Sequence, residues 1–426
     1  MDVKRSWRCR TERLKADAVR LAVVSQSTES DDRRLRVFGS LCGVVFLVNF
    51  GRITFAPLLD TFETAFGVNA ATVGVIASLA WLGSALPRLP TGYLLTRFDR
   101  HHVIIADGVF LAAASAGTAM AGSVTAVAVG AFLVGVASGV YFIAGNPLVS
   151  ELFPDRVGRV IGIHGTASQS AAVVAPLAVG VVLGVGDWRL VFWLLAAAAL
   201  LGTAALAVSS RAAVAADRMP AAGRGDRDFL GATRRRLPLV LTGILVMSVA
   251  GIVWNGFFNF YVSYVTDARV VDAATARTLL TVMFAAGIPA FWFAGRLADR
   301  LSYIVLLVGV PAAFAGSLFA FTYARGLYAV VAATVVVGYA IHHIFPTVDT
   351  FLLDSLPDAD RASAYAAYSA VTMLFQAGGG VLVGGLRTAG FSYDGIFRVA
   401  AVAVAVVALT VLLAHRGGVL PTASHE

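Results

Sequence analysis

GYLLTR at residues 92–97 and GRLADR at residues 295–300 are two copies of one short motif, and each follows a long apolar segment. ELFPDR at 151–156 and DSLPDADR at 354–361 form a second repeated pair. Both pairs are separated by 203 residues, from Gly92 to Gly295 and from Glu151 to Asp354. Because two motifs share one offset, they indicate an internal duplication of the chain.

The composition around these motifs is that of a membrane protein. Of the 426 residues, 58% are hydrophobic and 14% are charged, and the mean hydropathy is +0.80. A soluble domain carries about 25% charged residues. Disorder and a disulfide scaffold are excluded, since the chain is apolar and has only Cys9 and Cys42. Twelve apolar segments are long enough to span a bilayer as helices: 37–59, 70–94, 103–122, 126–148, 160–183, 189–209, 238–262, 276–298, 303–322, 327–350, 363–386 and 395–414.

These segments predict an all-α membrane protein with twelve transmembrane helices in two pseudo-symmetric six-helix bundles. The bundles correspond to residues 37–209 and 238–415, and a basic linker at 210–237, expected to be flexible, joins them. Residues 1–36 are polar and basic, and we expect most of them to be disordered. Residues 416–426 form a second short tail.

The distribution of lysine and arginine predicts the orientation in the membrane. Ten of these residues lie in the leader 1–36 and seven lie in the linker 210–237. The loops on the opposite side hold six in total. We therefore expect a cell-membrane protein with both termini and the linker in the cytoplasm. Contact with anionic lipid is an alternative role for the arginine run 234–236.

Twelve segments in two halves, a basic linker and a G-x-x-x-D-R-type loop resemble the major facilitator superfamily of secondary transporters, over about residues 37–415. The resemblance implies a transporter, not an enzyme, that rocks its halves around a central site. It also implies that the repeated loops act as gating latches, although they could serve only as tight turns. The second loop fits the family pattern, whereas the first has Thr96 in place of the acid. The gating candidates are Gly92, Arg97, Arg100, Glu151, Gly295, Asp299, Arg300 and Asp354.

Charged residues inside apolar segments are the sharpest candidates for a binding site, because a charge is costly in hydrocarbon. Arg52, within NFGRITF, lies deep in the first segment. In anion-carrying branches of the superfamily, an arginine on the first helix holds the negative charge of the substrate. We expect Arg52 to bind an anionic group; the alternatives are snorkelling to the interface or pairing with Asp60 or Glu63. For Arg88, close to the first loop, a structural role is favoured.

Other polar side chains within the segments need partners in the membrane. The substrate-binding candidates are Asn49, Arg52, Asn146, Gln169, Asn255, Asn259 and Gln376. His342, His343 and Asp349 are candidates for a proton relay, since a histidine can carry protons near physiological pH. For each histidine taken singly, a structural role is favoured. No metal site is expected, because adjacent His342 and His343 point about 100° apart on a helix.

The favoured function is transport of a small anion by alternating access, and proton coupling is left open. Efflux of drugs or other amphipathic compounds by the same fold is the alternative. The chain has no Walker A loop and no H-E-x-x-H or G-x-S-x-G motif, which excludes an ATP-driven pump and the enzymes that use these motifs. We expect no cofactor, no nucleic-acid partner, and a monomer that contacts its small-molecule substrate and membrane lipids.

Overall fold

The computed structural model of the chain describes residues 32–95, 97–153, 156–214, 229–269, 271–298 and 300–418. Within these residues, twelve helical spans are long and apolar enough to cross a membrane, and there is no strand. The protein is therefore an integral, multi-pass membrane protein. The all-α fold class predicted from the sequence is confirmed.

The spans are numbered 1 to 12 in chain order, and four of them are built from more than one helix. In the first half, span 1 comprises residues 32–53, a 3-10 turn at Ala56–Leu58 and the helix Leu59–Phe66, and span 2 comprises Ala70–Ala85 and Arg88–Leu94; spans 3 to 6 are Arg100–Ala119, Val124–Leu152, Val157–Val185 and Arg189–Val214. In the second half, span 7 comprises Leu237–Asn259 and Tyr261–Arg269, and span 8 comprises Ala273–Ala285 and Gly287–Ala298; spans 9 to 12 are Tyr303–Phe321, Leu327–Ser355, Asp358–Thr388 and Tyr393–Arg416. A short helix, Phe229–Arg235, precedes span 7.

The tail and linker expected from the sequence overlap with these helices. Residues 32–36 of the expected tail belong to span 1, whereas residues 1–31 lie outside the described part of the chain. Residues 210–214 continue span 6, and residues 229–235 are helical. The described parts of the linker are thus mainly helical, not extended chain as a flexible linker would be.

Polar side chains fix where several spans begin. Each accepts a hydrogen bond from the backbone N–H three residues later, which satisfies a donor that the first turn leaves free. These N-caps are Asn69 for span 2, Ser123 for span 4, Asp272 for span 8 and Ser392 for span 12. The hydrogen bonds from Thr275 also hold the pKa of the Asp272 carboxyl below its usual value. Span 1 ends at Gly67, whose φ of 62° suits a residue without a side chain.

Two breaks near prolines position the buried arginines. Span 1 is interrupted by a turn at residues 54–55, just before Pro57, and span 2 is interrupted at residues 86–87. Proline lacks the N–H that would continue the helical hydrogen bonds. Arg52 therefore lies at the end of the first helix of span 1, and Arg88 begins the second helix of span 2.

The side of the membrane that carries the helix Phe229–Arg235 is called the linker side, and the opposite side the far side. Because successive spans alternate in direction, the even-numbered spans of each half end on the linker side. Gly92 and Gly295 lie near the ends of spans 2 and 8, so the two copies of the repeated loop are on the same side.

The two halves contact each other toward the far side through spans 2 and 11 and through spans 5 and 8. The backbone N–H of Ala71 donates to Thr388 Oγ1 over 3.1 Å. Thr281 Oγ1 donates to the carbonyl of Val173 over 3.1 Å. These contacts close the far side between the halves in this structure.

Candidate functional site

The guanidinium of Arg52 lies in a cradle formed by spans 1, 2 and 4. Nη2 donates to Asn49 Oδ1 over 2.7 Å, and Nη1 donates to Ser84 Oγ over 3.4 Å. The guanidinium carbon stacks 4.3 Å from the centroid of the Trp81 ring and lies 6.0 Å from that of Phe142. The aromatic faces stabilise the cation but leave its donors available.

Within the described part of the chain, no carboxylate pairs with Arg52, and its Nε is buried without a hydrogen-bond partner. The structure thus shows neither of the alternatives considered from the sequence, an ion pair with Asp60 or Glu63 or a side chain that snorkels to the interface. Because an unpaired buried charge is costly, this guanidinium is a place where an anion would be stabilised.

Asn49 connects the Arg52 cradle to span 5. Its Nδ2 donates to the carbonyl of Ser168 over 2.7 Å, which orients the amide so that its oxygen faces Arg52. On the other side of the cradle, the ring of Trp81 contacts Phe258 of span 7, with centroids 5.9 Å apart. The cradle therefore belongs to the first half and borders the second.

Three amides of the second half lie in the packing between spans 7 and 11. Asn259 Nδ2 donates to the carbonyl of Asn255 over 2.7 Å, and Asn255 Nδ2 is buried without a partner among the described residues. The side chain of Gln376 packs directly against Gly251, and Asn255 packs against Gly379. The structure does not bring these amides to Arg52.

The two remaining amide candidates make no hydrogen bond to Arg52 among the described residues. Asn146 is exposed on span 4. Gln169 Nε2 donates to the carbonyl of Phe284 over 3.3 Å and so joins span 5 to span 8. Of the other six substrate-binding candidates, only Asn49 hydrogen-bonds to Arg52 among the described residues, whereas Asn255 and Asn259 hydrogen-bond to each other.

The three candidates for a proton relay do not form one cluster. His342 packs against Trp254, with ring centroids 5.1 Å apart, and its Nδ1 donates to the carbonyl of Gly338 over 2.7 Å. Both ring nitrogens of His343 are buried without a partner in the described structure. Asp349 accepts a hydrogen bond of 3.4 Å from the Tyr368 hydroxyl on span 11. The carboxylate thus faces span 11, and His342 faces span 7.

The first repeated loop contains an ion pair on the linker side. Arg100 Nη2 lies 2.7 Å from Glu151 Oε1, which joins the start of span 3 to the end of span 4. Arg97 is exposed and donates to the hydroxyl of Tyr93. This loop therefore has an ion pair within the first half, although Thr96 replaces the acid of the family pattern.

Less of the second repeated loop is described. Arg300 is exposed, and its backbone N–H donates to the carbonyl of Leu297 over 3.1 Å. Asp299 lies outside the described residues, as do the surroundings of Gly295 and the side chain of Asp354. Gly92, its counterpart in the first loop, is half-buried in the helix Arg88–Leu94.

Two residues that complete the cradle, Trp81 and Ser84, were not predicted from the sequence. Their spacing could have indicated them, because Trp81, Ser84 and Arg88 are separated by three and four residues and therefore share one face of span 2. The contact of that face with Arg52 joins different spans, so the sequence pattern of span 2 alone does not show it.

Comparison with known proteins identifies the family. The sequence profile of the Major Facilitator Superfamily matches residues 41–321 and, a second time, residues 243–424. The chain belongs to this superfamily. As a Major Facilitator Superfamily protein it is a membrane transporter and not an enzyme, and its cradle at Arg52 lies within the first matched region.

Curated relatives of this superfamily protein resemble part of it. The Uncharacterized transporter YgaY of Escherichia coli is 32% identical over 153 residues, which cover 36% of this chain and 38% of that protein. The MFS antiporter QDR3 of Candida albicans is 27% identical over 159 residues, covering 37% of this chain and 22% of that protein. The chain thus matches well under two thirds of each relative.

Solved structures of superfamily transporters share the fold over nearly the whole chain. A bacterial homolog of the human lysosomal transporter Spinster, in an inward-facing and occupied conformation, has a TM-score of 0.73 at 16% identity and covers 90% of this chain and 97% of its own. A D-xylose-proton symporter has a TM-score of 0.73 at 14% identity and covers 89% of this chain and 96% of its own. At this identity the likeness establishes the fold alone.

Proposed function

We propose that this transporter carries a small anionic solute across the cell membrane by alternating access, with both termini and the linker in the cytoplasm. The observation that carries the proposal is the half-buried guanidinium of Arg52, which no carboxylate neutralises among the described residues. An arginine offers a planar set of donors that matches an oxyanion and stays charged when buried.

The position of Arg52 suits transport better than static binding. Its cradle borders Phe258 of the second half through Trp81, so a bound anion would lie between the two halves. Movement of one half against the other would then expose the anion to one side of the membrane at a time. The charge of Arg52 is compensated when the anion is bound, which favours states that enclose it.

Export of amphipathic compounds is the second candidate. The observation that favours it is the aromatic character of the cradle, since Trp81, Phe142 and Phe258 all lie near the guanidinium or its neighbours. Aromatic rings bind apolar and cationic compounds, although the fixed charge of Arg52 opposes a cation.

Counterflow in proteoliposomes tests the anion proposal. Liposomes containing the wild type, Arg52→Gln and Arg52→Lys are loaded with nitrate, lactate, phosphate or succinate, and entry of the radiolabelled anion is measured. We expect Arg52→Gln to lower anion counterflow at least about tenfold, which corresponds to about 1.4 kcal/mol, and Arg52→Lys to keep part of it. Arg325→Gln is the matched control, since Arg325 lies on the far side of the second half and is largely exposed.

The outcomes separate the two candidates. Equal counterflow of every anion by the wild type and Arg52→Gln would contradict the anion proposal. Arg52-independent export of a fluorescent amphipathic cation from the same liposomes would favour the second candidate. An imposed proton gradient, applied to these liposomes, measures whether the anion flux is coupled to protons. Light scattering of the purified protein in detergent measures whether it is a monomer, as proposed.

A further inference from the structure

We propose that the Arg52 site takes a doubly charged oxyanion and that Arg88 supplies the second positive charge. This inference rests on the proposed function, because it assigns the charge class of the substrate at the same site. It also gives Arg88 a role in binding, whereas the sequence favoured a structural one.

Ser84 joins the two arginines. Arg52 Nη1 donates to the Ser84 hydroxyl over 3.4 Å, and Arg88 Nε donates to the Ser84 carbonyl over 3.2 Å. Both guanidinium groups therefore lie within hydrogen-bond distance of atoms of one residue. Two like charges held this close in a region of low dielectric repel each other unless an anion lies between or beside them.

Carboxylates do not neutralise this pair of arginines in the described structure. Arg88 Nη1 donates to Ser369 Oγ over 3.2 Å, and neither arginine makes an ion pair among the described residues. Asp349, on span 10, accepts a hydrogen bond of 3.4 Å from the Tyr368 hydroxyl and makes no ion pair with either arginine among the described residues.

The donors around the two arginines match an oxyanion with two negative charges. Two guanidinium groups present forked donors, and the hydroxyls of Ser84 and Ser369 lie beside them. A singly charged anion would leave one buried guanidinium uncompensated, whereas phosphate, sulfate or a short dicarboxylate would compensate both. Ser369 belongs to the second half, so the same anion would contact both halves and bias their relative position.

Matched anion pairs test the charge class. Binding to the purified wild type in detergent is measured by calorimetry for sulfate against nitrate and for succinate against butyrate. We expect each divalent anion to bind at least about tenfold more tightly than its monovalent partner, since tenfold corresponds to about 1.4 kcal/mol. The inorganic and dicarboxylate pairs distinguish a free inorganic oxyanion from an organic acid as the preferred ligand.

Variants of Arg88 assign the second charge. We expect Arg88→Gln to weaken binding of sulfate and succinate at least about tenfold more than binding of nitrate and butyrate, and so to remove the divalent preference. Arg88→Lys keeps the positive charge and should retain part of the divalent preference. If Arg88→Gln does not elute as a monodisperse peak, Arg88→Lys still tests the inference. Arg97→Gln is the control, because Arg97 is exposed on the linker side and donates to a surface tyrosine.

The possible results separate failure of this inference from failure of the proposed function. An equal loss of monovalent and divalent binding in Arg88→Gln would overturn the inference and leave Arg88 a structural residue. The inference would also be overturned if the wild type bound nitrate more tightly than sulfate, or butyrate more tightly than succinate. Absence of any Arg52-dependent anion binding would instead overturn the proposed function itself, so the two failures are distinguishable.

Discussion

At the scale of single residues, the protein treats two arginines within its spans in opposite ways, the buried Arg269 and the half-buried Arg52. The side chain of Arg269, on the far side of the second half, is 0% exposed, and its Nη2 lies 2.6 Å from Asp394 Oδ1. The same nitrogen also donates to the Tyr264 hydroxyl over 2.8 Å and to the Thr322 carbonyl over 3.0 Å. Arg52 has no comparable partner among the described residues. The contrast supports a ligand, and not the protein, as the counter-ion of Arg52.

Removing the counter-ion of Arg269 should therefore destabilise the protein strongly. Asp394→Asn leaves a fully buried guanidinium without a charge partner, and breaking a buried pair in this way costs about 3–5 kcal/mol. SDS-induced unfolding in mixed micelles measures the free energy of unfolding. Asp267→Asn is the control, because Asp267 is 57% exposed in its pair with Arg387 and a surface pair is worth about 0–1 kcal/mol. Similar losses in both variants would contradict the prediction.

Residues of the site could be predicted from the sequence only where the pattern of a single span reveals them. A charged residue within an apolar segment can be recognised from the sequence alone, and Arg52 was predicted in this way. Asn255 and Gln376 look equally unusual in the sequence, yet they pack between spans 7 and 11. Ser84 and Ser369 look ordinary, because their significance comes from which arginine each contacts across a packed interface.

At the scale of helices, glycines set how closely spans 2 and 11 approach on the far side. A Cβ on Gly74 would overlap the carbonyl of Gly380, and a Cβ on Gly384 would overlap the carbonyl of Ala70. Gly378, on the same stretch of span 11, has nothing within 4 Å of the position a Cβ would take. The close approach therefore depends on particular glycines and not on the glycine content of span 11 as a whole.

Alanine substitutions should separate these two kinds of glycine. Gly74→Ala forces spans 2 and 11 apart, and such overpacking costs about 1–3 kcal/mol. Gly378→Ala should be neutral or stabilising by up to about 1 kcal/mol, because alanine favours a helix where there is space for it. The midpoint of thermal unfolding in detergent should fall for Gly74→Ala alone. A lower midpoint for Gly378→Ala than for Gly74→Ala would contradict the proposed role of Gly74 in the close approach of spans 2 and 11.

The helices themselves were largely predictable, for a physical reason. A span inside hydrocarbon must be mostly apolar and mostly helical, so hydropathy locates all twelve. Their polar ends obey no such rule. Span 10 continues to Ser355 and span 11 begins at Asp358, beyond the apolar runs 327–350 and 363–386, because helices extend into water where composition is unconstrained.

At the scale of the whole molecule, the two halves are joined on the far side by contacts that can break and re-form. Arg277 Nε of span 8 donates to the carbonyl of Pro57 in span 1 over 3.3 Å. This hydrogen bond spans the two halves, and it ends on a backbone carbonyl that water can also satisfy. A transporter that alternates needs such contacts, since a strong buried ion pair between its halves would hold one state.

Loss of the Arg277 contact should shift the protein toward states that open on the far side. Nitroxide labels at Val185→Cys and Tyr328→Cys report the separation of the halves, because both residues lie at far-side ends of spans and are 78% and 91% exposed. Cys9 and Cys42 are replaced by serine beforehand. We expect electron–electron distance distributions of Arg277→Gln to gain a population at longer distance. Arg325→Gln should not change them, since Arg325 bonds to Asp394 and Thr322 within the second half. Identical distributions for the wild type and Arg277→Gln would show that the far side is closed by helix packing alone.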